Sequence, residues 1–420
     1  MQHLERKRGQ PSRSFAVYAT VIGGAVEWYD LILYTLYAVL FSKLFFPTTH
    51  GGLSIILSFA TFGVSFIIRP MGAVFLGAYS DKYGRRRALA LSSFLMMLGT
   101  GLLAVAPTYA TLGVAAPLLV VFSRVLQGIA AGGEFGSAAT MLAERNPELR
   151  GFYSSLQLSA SGLSFVVASS GGWLLVHFFS DAEIAQWAWR LPFLFGFLIG
   201  PVATWSRLRM DESPEFRKYE NHSPTREILF YERRKILVAT CLTALGAYGV
   251  YLILYLPTYA QLYLGFDRSN AMVGTIAAGI VTMIAPPIFG YWGDKIKNRN
   301  ILMISGAALL AIAAYPAFIF LKNYPTVVNI VVVESLITVL VEGAYYANLS
   351  GILYSWFSAR NRTSAISVSY SFAQLLFGGL TPMVLSTLIQ YYNNILIPSL
   401  FLLIVSVVSF LSILYVNERK

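Results

Sequence analysis

The feature that most constrains this chain is a series of long apolar segments. Twelve stretches of predominantly apolar residues follow one another, and each is long enough to cross a bilayer, which takes about 20 residues. In the hydrocarbon core only helices and closed β-barrels satisfy every backbone hydrogen-bonding group. The segments lack the alternation of apolar and polar residues that is typical of barrel strands. We therefore predict an all-α integral membrane protein with twelve transmembrane helices.

The breaks between these segments organise the chain into two halves. The predicted spans are 16–46, 53–79, 88–106, 110–143, 152–179, 189–208, 235–264, 270–293, 300–321, 326–357, 362–390 and 394–416. All breaks are short except one of about 25 residues after the sixth span. The predicted units are an N-terminal tail (1–15), a first six-helix bundle (16–208), a central loop (209–234), a second six-helix bundle (235–416) and a C-terminal tail (417–420).

The distribution of basic residues predicts how the helices are oriented. Only 12% of the residues are charged, against roughly 25% in soluble domains. With both termini on one side, 25 of the 31 Lys and Arg residues lie on that side and 4 on the other, while Arg69 and Arg124 lie within spans. Because basic loops stay in the cytoplasm, we expect cytoplasmic termini and a location in a cell membrane, such as the bacterial inner membrane. This loop bias accounts for the net charge of +11, so no nucleic-acid partner is expected.

Two loops at matching positions in the two halves share a motif. GAYSDKYGRRRAL follows the second span and GYWGDKIKNRNIL follows the eighth, so both carry G-x-x-x-D-K before a basic cluster. In the second loop Lys297 replaces the glycine and Asn298 replaces the first arginine. Such paired loops indicate two homologous halves related by an axis along the membrane normal.

These motifs resemble those of one family. The first loop resembles the G-x-x-x-D-[RK]-x-G-R-[RK] loop of the major facilitator superfamily, and SRVLQGIAAG resembles its R-x-x-Q-G pattern in helix 4. The stretches that resemble its metabolite:proton symporter group are GGAVEWYDLILY, FFP, IIRPMGAVFLGAYSDKYGRR, RVLQGIAAGGEFG, WAWRLPF, DESPEF and LFGGLTP. That group includes symporters for proline/betaine, citrate, α-ketoglutarate and shikimate. The resemblance implies the major facilitator fold and transport by alternating access.

Three features depart from the family pattern. The second G-x-x-x-D loop is degraded, and SWFSARNRTSA lacks the usual proline before helix 11. The C-terminal tail lacks the coiled-coil extension of some osmosensory members. The third departure argues against osmosensing through such a tail.

Helix 4 carries Arg124 and Gln127 inside an apolar span. An unpaired charge at the bilayer centre costs at least about 2.5–3.5 kcal/mol, so this arginine needs a partner or a function. At 1.5 Å per residue it lies about 21 Å from the outer end of its helix, near the midplane. A guanidinium binds a carboxylate through two parallel hydrogen bonds. We therefore predict that Arg124 and Gln127 bind a substrate carboxylate, and the alternative is a buried ion pair that only joins helices.

Helix 1 carries Glu27 and Asp30 on the face that also holds Tyr34 and Tyr37, because residues three and four apart are neighbours on a helix. A carboxylate in the membrane interior favours its protonated form, which suits it to bind and release a proton. We predict that Asp30 is the main proton carrier, that Glu27 tunes it, and that Glu134 in helix 4 is a third candidate. The two tyrosines are predicted to contact substrate. The alternative is permanent pairing of these carboxylates with the arginines of helices 2 and 4.

Four further residues within spans are candidates. Arg69 precedes a proline in helix 2, where a kink is expected to turn its side chain inward, and both a structural role and substrate contact remain open. Glu342 and Tyr345 in helix 10 and Tyr255 in helix 7 are predicted substrate contacts. Tyr255 belongs to a tyrosine stripe, for which packing or an interfacial belt is the favoured alternative.

The resemblance also implies a cytoplasmic gate. Asp81 would face the start of helix 11 in the outward-open state, and Arg85 or Arg86 would pair with Glu144. Exposed ion pairs contribute only about 0–1 kcal/mol, which suits contacts that break in every transport cycle. The full set of gating candidates is Asp81, Arg85, Arg86, Glu144, Arg150 and Asp294.

Together these features predict a proton-coupled symporter that imports a small organic anion or zwitterion. The alternatives are a uniporter or exporter of similar fold, a proline/betaine osmolyte symporter, and a receptor that kept the fold. The sequence contains no Walker loop, metal-spaced His/Cys cluster or nucleophile elbow, so no enzyme, cofactor or metal is expected. The expected partners are the substrate, protons and the lipid bilayer, and the protein is expected to be a monomer.

Overall fold

The computed structural model of the chain describes residues 13–83, 85–132, 142, 148–209, 232–296, 298, 300–357 and 362–418, and every regular element within these ranges is a helix. The first half contains α1a (Arg13–Leu36), α1b (Ala38–Phe45), α2 (Gly51–Tyr83), α3 (Arg85–Ala104), α4 (Ala115–Gly132), α5 (Arg150–Phe178) and α6 (Arg190–Leu208). The second half contains α7 (Arg233–Tyr263), α8 (Arg268–Lys295), α9 (Asn300–Asn323), α10 (Val327–Thr338, Val339–Tyr346 and Ala347–Trp356), α11 (Arg362–Gln374, Leu375–Gly379 and Thr381–Tyr392) and α12 (Ile397–Glu418). Short connecting segments are Tyr109–Leu112, Asp181–Glu183 and Ile184–Ala188.

The number of membrane spans agrees with the prediction. Eleven helices among the described residues are long and apolar enough to cross a bilayer, and the bent pair α1a and α1b makes a twelfth. The prediction of an all-α protein with twelve spans is therefore confirmed.

The first span is not one continuous helix, as the sequence suggested, but bends by 66° at Tyr37. The Thr35 hydroxyl lies two residues before the bend and donates to the Ile32 carbonyl at 2.8 Å. Such a local hydrogen bond competes with the helical ladder and bends helices. The bend turns the chain so that α1b runs beside α2.

Two spans of the second half contain π-helical segments. In α10 the segment is Val339–Tyr346, and in α11 it is Leu375–Gly379. In α10 Gly343 lies against α8, where a Cβ at this position would come within 3.2 Å of the Ala285 Cβ. A π-segment changes which side chains face inward over one turn and occurs frequently at functional sites.

The two halves contact each other along α5 and α8. A Cβ at Gly162 of α5 would lie 2.8 Å from the Gly279 carbonyl oxygen, and a Cβ at Gly279 of α8 would lie 2.9 Å from the Val166 backbone nitrogen. Small residues at such positions allow membrane helices to approach closely. The glycines therefore set the distance between the halves.

Helix α7 lies in the interior of the protein. Of the residues in its most apolar stretch 83% are buried, whereas the share is 33–50% in the corresponding stretches of the ten other continuous spans. Its tyrosines Tyr248, Tyr251 and Tyr255 are all buried. The tyrosine stripe therefore faces protein and does not form an interfacial belt.

Candidate functional site

A buried ion pair joins helices 1 and 4. Arg124 Nη1 lies 3.1 Å from Asp30 Oδ2, and the two side chains are 0% and 2% exposed. Thr100 of α3 donates to the other Asp30 oxygen at 2.8 Å, and Gln127 donates to the Thr100 hydroxyl at 3.3 Å. Both oxygens of Asp30 are therefore bound within the first half.

The aromatic ring of Tyr34 orders the arginine of this pair. The Arg124 guanidinium lies 4.2 Å from the ring centroid, and the Tyr34 hydroxyl donates to the Ser58 carbonyl of α2 at 3.1 Å. A cation over an aromatic face is attracted by the ring quadrupole. The contact leaves Arg124 Nε and Nη2 buried and without hydrogen-bond partners. These two atoms form the side edge of the guanidinium, the edge that can donate two parallel hydrogen bonds to a second carboxylate.

A second pair, between Arg69 of α2 and Glu27 of α1a, lies at the boundary between the halves. Its nitrogen–oxygen distance is 3.5 Å, and Glu27 is 14% exposed, so the pair is looser than the first. The Arg69 guanidinium lies 4.4 Å from the Phe66 ring centroid and is close to Tyr251 of α7 and Tyr370 of α11. Arg69 therefore faces side chains of the second half.

The second half presents uncharged polar groups to Arg69, and one acid lies behind them. The Tyr251 ring lies 5.1 Å from Phe66, and a Cβ at Gly378 would contact both Tyr251 and Gln374, which places these two side chains together. Tyr346 lies beside Tyr370 and Glu342. We call the following set the central polar cluster: Glu27, Asp30, Arg69, Arg124, Gln127, Tyr251, Glu342, Tyr346, Tyr370 and Gln374.

Many buried polar atoms of the central polar cluster have no hydrogen-bond partner. Among the described residues, these atoms include Nε and Nη2 of Arg124, Nε of Arg69, Oε1 of Gln127, the hydroxyl of Tyr251 and Oε2 of Glu342. Buried polar groups are nearly always paired in folded proteins, so unpaired ones need an explanation. A polar ligand that enters between the halves would pair with several of them.

Several predicted substrate contacts have other partners in this structure. The Tyr345 hydroxyl donates to the Leu242 carbonyl of α7 at 2.6 Å, and the Tyr255 hydroxyl accepts from Ser386 of α11 at 3.1 Å. The Tyr37 hydroxyl is buried without a partner, and its ring packs 6.0 Å from Phe193. These contacts do not place Tyr345, Tyr255 or Tyr37 beside the ion pairs of Arg124 and Arg69. That the three tyrosines contact substrate therefore stays a prediction.

Four members of the central polar cluster were not predicted as site residues: Tyr251, Tyr346, Tyr370 and Gln374. Tyr370 and Gln374 are four residues apart on α11, so they share a face. The sequence signal for Gln374 is an amide inside an apolar span, and the same signal singles out Gln127. Glu342, which was predicted, lies within the π-segment of α10 and is 2% exposed.

At the membrane face with the basic loops, an aspartate of the second half caps a helix of the first. Asp294 of α8 accepts hydrogen bonds from the backbone N–H groups of Gly151 at 3.0 Å and Phe152 at 2.9 Å. A carboxylate at a helix N-terminus is stabilised by the helix dipole. The guanidinium of Arg150, the first residue of α5, lies 4.5 Å from the Tyr354 ring centroid of α10. Both contacts join the halves.

Among the remaining gating candidates, the structure describes the side chain of Arg86 alone. Arg86 is exposed at the start of α3. Glu134 and Glu144 lie outside the described residues, as do the side chains of Asp81 and Arg85. At the opposite face Arg268 of α8 lies 3.7 Å from Asp181, which precedes α6. The halves therefore touch at both membrane faces.

Comparison with known proteins identifies the family. The sequence model described as Major Facilitator Superfamily matches residues 31–331 and 271–420. The chain belongs to the Major Facilitator Superfamily. It is a multi-pass membrane transporter by family, and no match indicates a catalytic family.

Named relatives and solved structures of the superfamily cover almost all of the chain. The citrate-proton symporter of Klebsiella pneumoniae is 32% identical over 418 residues, which cover 97% of this chain and 93% of the relative. The proline/betaine transporter of Escherichia coli (strain K12) is 28% identical over 413 residues, which cover 94% and 82%. The partially occluded inward-open structure of the xylose transporter XylE from E. coli has a TM-score of 0.76 at 15% identity and covers 96% of each chain. This last likeness shows the fold alone.

Proposed function

We propose that the chain is a proton-coupled symporter of a small organic carboxylate or zwitterion, and that the central polar cluster binds both substrate and proton. The observation that carries this proposal is the unpaired side edge of Arg124, buried next to an arginine edge already bound to Asp30. A fork of two N–H groups matches the two oxygens of a carboxylate. Relatives named as a citrate-proton symporter and as proline/betaine transporters agree with a carboxylate-bearing substrate.

The charge balance of the central polar cluster supports coupling to protons. Two arginines face two carboxylates that they already bind, and Glu342 lies beside Tyr346 of the same cluster. A substrate carboxylate that enters such a desolvated, balanced site adds an uncompensated negative charge, which is costly in a membrane interior. Uptake of one proton by an acid of the cluster removes that charge. Substrate and proton then bind cooperatively, as reciprocal linkage requires.

Asp30 is the acid that we assign to this step. It shares Arg124 with the incoming carboxylate, so substrate binding weakens the attraction between Arg124 and the Asp30 side chain. Thr100 can turn its hydroxyl to accept from a protonated Asp30, because a hydroxyl both donates and accepts. Glu27 likewise shares its arginine, Arg69, with an incoming carboxylate at the boundary between the halves. We assign it the role of tuning the site.

Alternating access follows from the contacts between the halves. The halves are joined by contacts of Asp294 and Arg150 at one membrane face and of Arg268 at the other. These contacts are few and polar, so each set can break and re-form. Rocking about the α5–α8 contact would then expose the central polar cluster to each side in turn.

Substrate-induced proton uptake in proteoliposomes tests this function. Small carboxylates and betaines are first screened for thermal stabilisation of the purified protein, and those that stabilise it are added outside liposomes that contain a pH indicator. A symporter acidifies the interior when substrate enters. Transport of a stabilising ligand without proton movement would identify a uniporter and refute the proposal.

A further inference from the structure

A second polar site lies away from the central polar cluster, at the membrane face with the basic loops. A cavity of about 220 Å³ is lined by Arg234 and Lys235 at the start of α7, Trp356 at the end of α10 and Tyr415 near the end of α12. None of these residues belongs to the intramembrane ion pairs or to the contacts between the halves. The cavity is therefore available for a function other than substrate transport.

The lining of this cavity suits an anion with hydrogen-bond acceptors. Arg234 is exposed, and the Lys235 side chain is 45% exposed, with its Nζ 3.9 Å from Glu232 Oε1. That distance leaves the lysine only loosely held by Glu232. The indole N–H of Trp356 is buried and has no acceptor. Two cations and an unpaired donor thus point to an anionic oxygen ligand.

Apolar residues continue from the cavity along the surface that faces the membrane. Leu237 is three residues after Arg234 and Leu411 is four before Tyr415, so each leucine shares a helix face with a lining residue. Leu237 is 64% and Leu411 is 57% exposed. On a membrane helix such exposed apolar side chains face acyl chains. The site therefore has a charged, aromatic part directly beside a lipid-facing apolar part.

We propose that this cavity binds the phosphate-containing headgroup of one anionic phospholipid, with an acyl chain along Leu237 and Leu411. The volume is below the roughly 300 Å³ at which sites for drug-sized ligands begin, so it suits a headgroup. Basic pockets between helices at a membrane interface bind anionic headgroups, and Trp and Tyr are enriched at this depth. The adjoining leucines favour a lipid over free phosphate, which has no apolar part. This proposal does not depend on the identity of the transported substrate.

Lipid binding to the delipidated full-length protein, measured by native mass spectrometry, tests the proposal. Phosphatidylglycerol is titrated against phosphatidylcholine, whose headgroup has no net charge. We expect the wild-type protein to retain one phosphatidylglycerol in preference to phosphatidylcholine. The double variant Arg234→Gln/Lys235→Gln is expected to bind it at least about tenfold more weakly, since each cation near a membrane surface contributes about fivefold. Trp356→Phe removes only the donor group and is expected to weaken binding about threefold.

A matched control separates this site from general surface charge. Arg233→Gln removes the same charge from an exposed neighbour that does not line the cavity, and it is expected to change the affinity less than twofold. Glu232→Gln frees Lys235 and is expected to strengthen binding. Equal losses in Arg233→Gln and in the double variant, or wild-type affinity in Trp356→Phe, would overturn the proposal. Displacement of the lipid by millimolar inorganic phosphate would overturn the choice of a lipid and identify a soluble phosphate site.

Discussion

The guanidinium of Arg124 has one edge on Asp30 and one edge without a partner. If the unpaired edge binds a substrate carboxylate, Arg124→Lys removes the fork while keeping the charge. We expect substrate affinity to fall about tenfold to a hundredfold, the range for lost hydrogen bonds to charged groups. Affinity is measured by thermal stabilisation or calorimetry with a transported ligand. Arg209→Lys, at an exposed arginine that stacks on Trp205, is the control, and unaltered affinity in Arg124→Lys would leave this arginine as a packing charge.

The role assigned to Asp30 predicts a separation of two transport activities. Asp30→Asn imitates a permanently protonated acid and keeps a hydrogen-bonding side chain beside Thr100 and Arg124. We expect this variant to bind substrate and to exchange internal for external substrate, yet to lose accumulation driven by a pH gradient. Both activities are measured with labelled substrate in proteoliposomes. If pH-driven accumulation persists, the proton carrier is a different acid, and Glu134 and Glu342 are the next to test.

Glu334 of α10 differs from the paired acids. It is 0% exposed, and its carboxyl lies against Gly274 and beside Thr275 of α8. Because no cation among the described residues pairs with it, Glu334→Gln is expected to leave the melting temperature unchanged or to raise it. Glu27→Gln removes the carboxylate bound to the buried Arg69 and is expected to lower the melting temperature, since an unpaired buried charge is costly. A lower melting temperature for Glu334→Gln than for Glu27→Gln would contradict this distinction.

The close contact between α5 and α8 can be tested within one helix. Gly162→Val places a side chain against the α8 backbone, whereas a Cβ at Gly171 on the same helix meets no atom within 4 Å. Overpacking typically costs about 1–3 kcal/mol, so Gly162→Val is expected to lower the melting temperature and the transport rate. Gly171→Val is expected to alter neither by a comparable amount. Equal melting temperatures for the two variants would show that the halves separate at this contact without cost.

At the scale of helices, the sequence was sufficient for some features and not for others. Long apolar runs determine the existence of spans, because the bilayer requires them. The depth of Arg124 and Asp30 also followed from residue counting, and the structure brings them together at 3.1 Å. Permanent pairing is the alternative to proton coupling, and the contact alone agrees with either.

The breaks within helices were not predictable in the same way. The bend at Tyr37 and the π-segments of α10 and α11 leave the apolar composition of their spans unchanged, so hydropathy gives no signal for them. They decide which polar side chains face inward. For that reason Tyr345, which lies in the π-segment of α10 and whose hydroxyl binds the α7 backbone, was predicted as a substrate contact.

For the whole molecule, the orientation in the membrane still rests on the distribution of basic residues. The 25-to-4 bias predicts that the Asp294 contact and the proposed lipid site lie on the cytoplasmic side. In a Cys241→Ser background, single cysteines at Thr49 and Arg268 are expected to react with an impermeant thiol reagent in intact cells. Cysteines at Lys82 and Glu220 are expected to react only after the cells are permeabilised, which also controls for their reactivity. Labelling of the second pair in sealed cells would show that the orientation is inverted. The lipid site would then lie in the outer leaflet, and the substrate would have to enter from the side closed by Asp294.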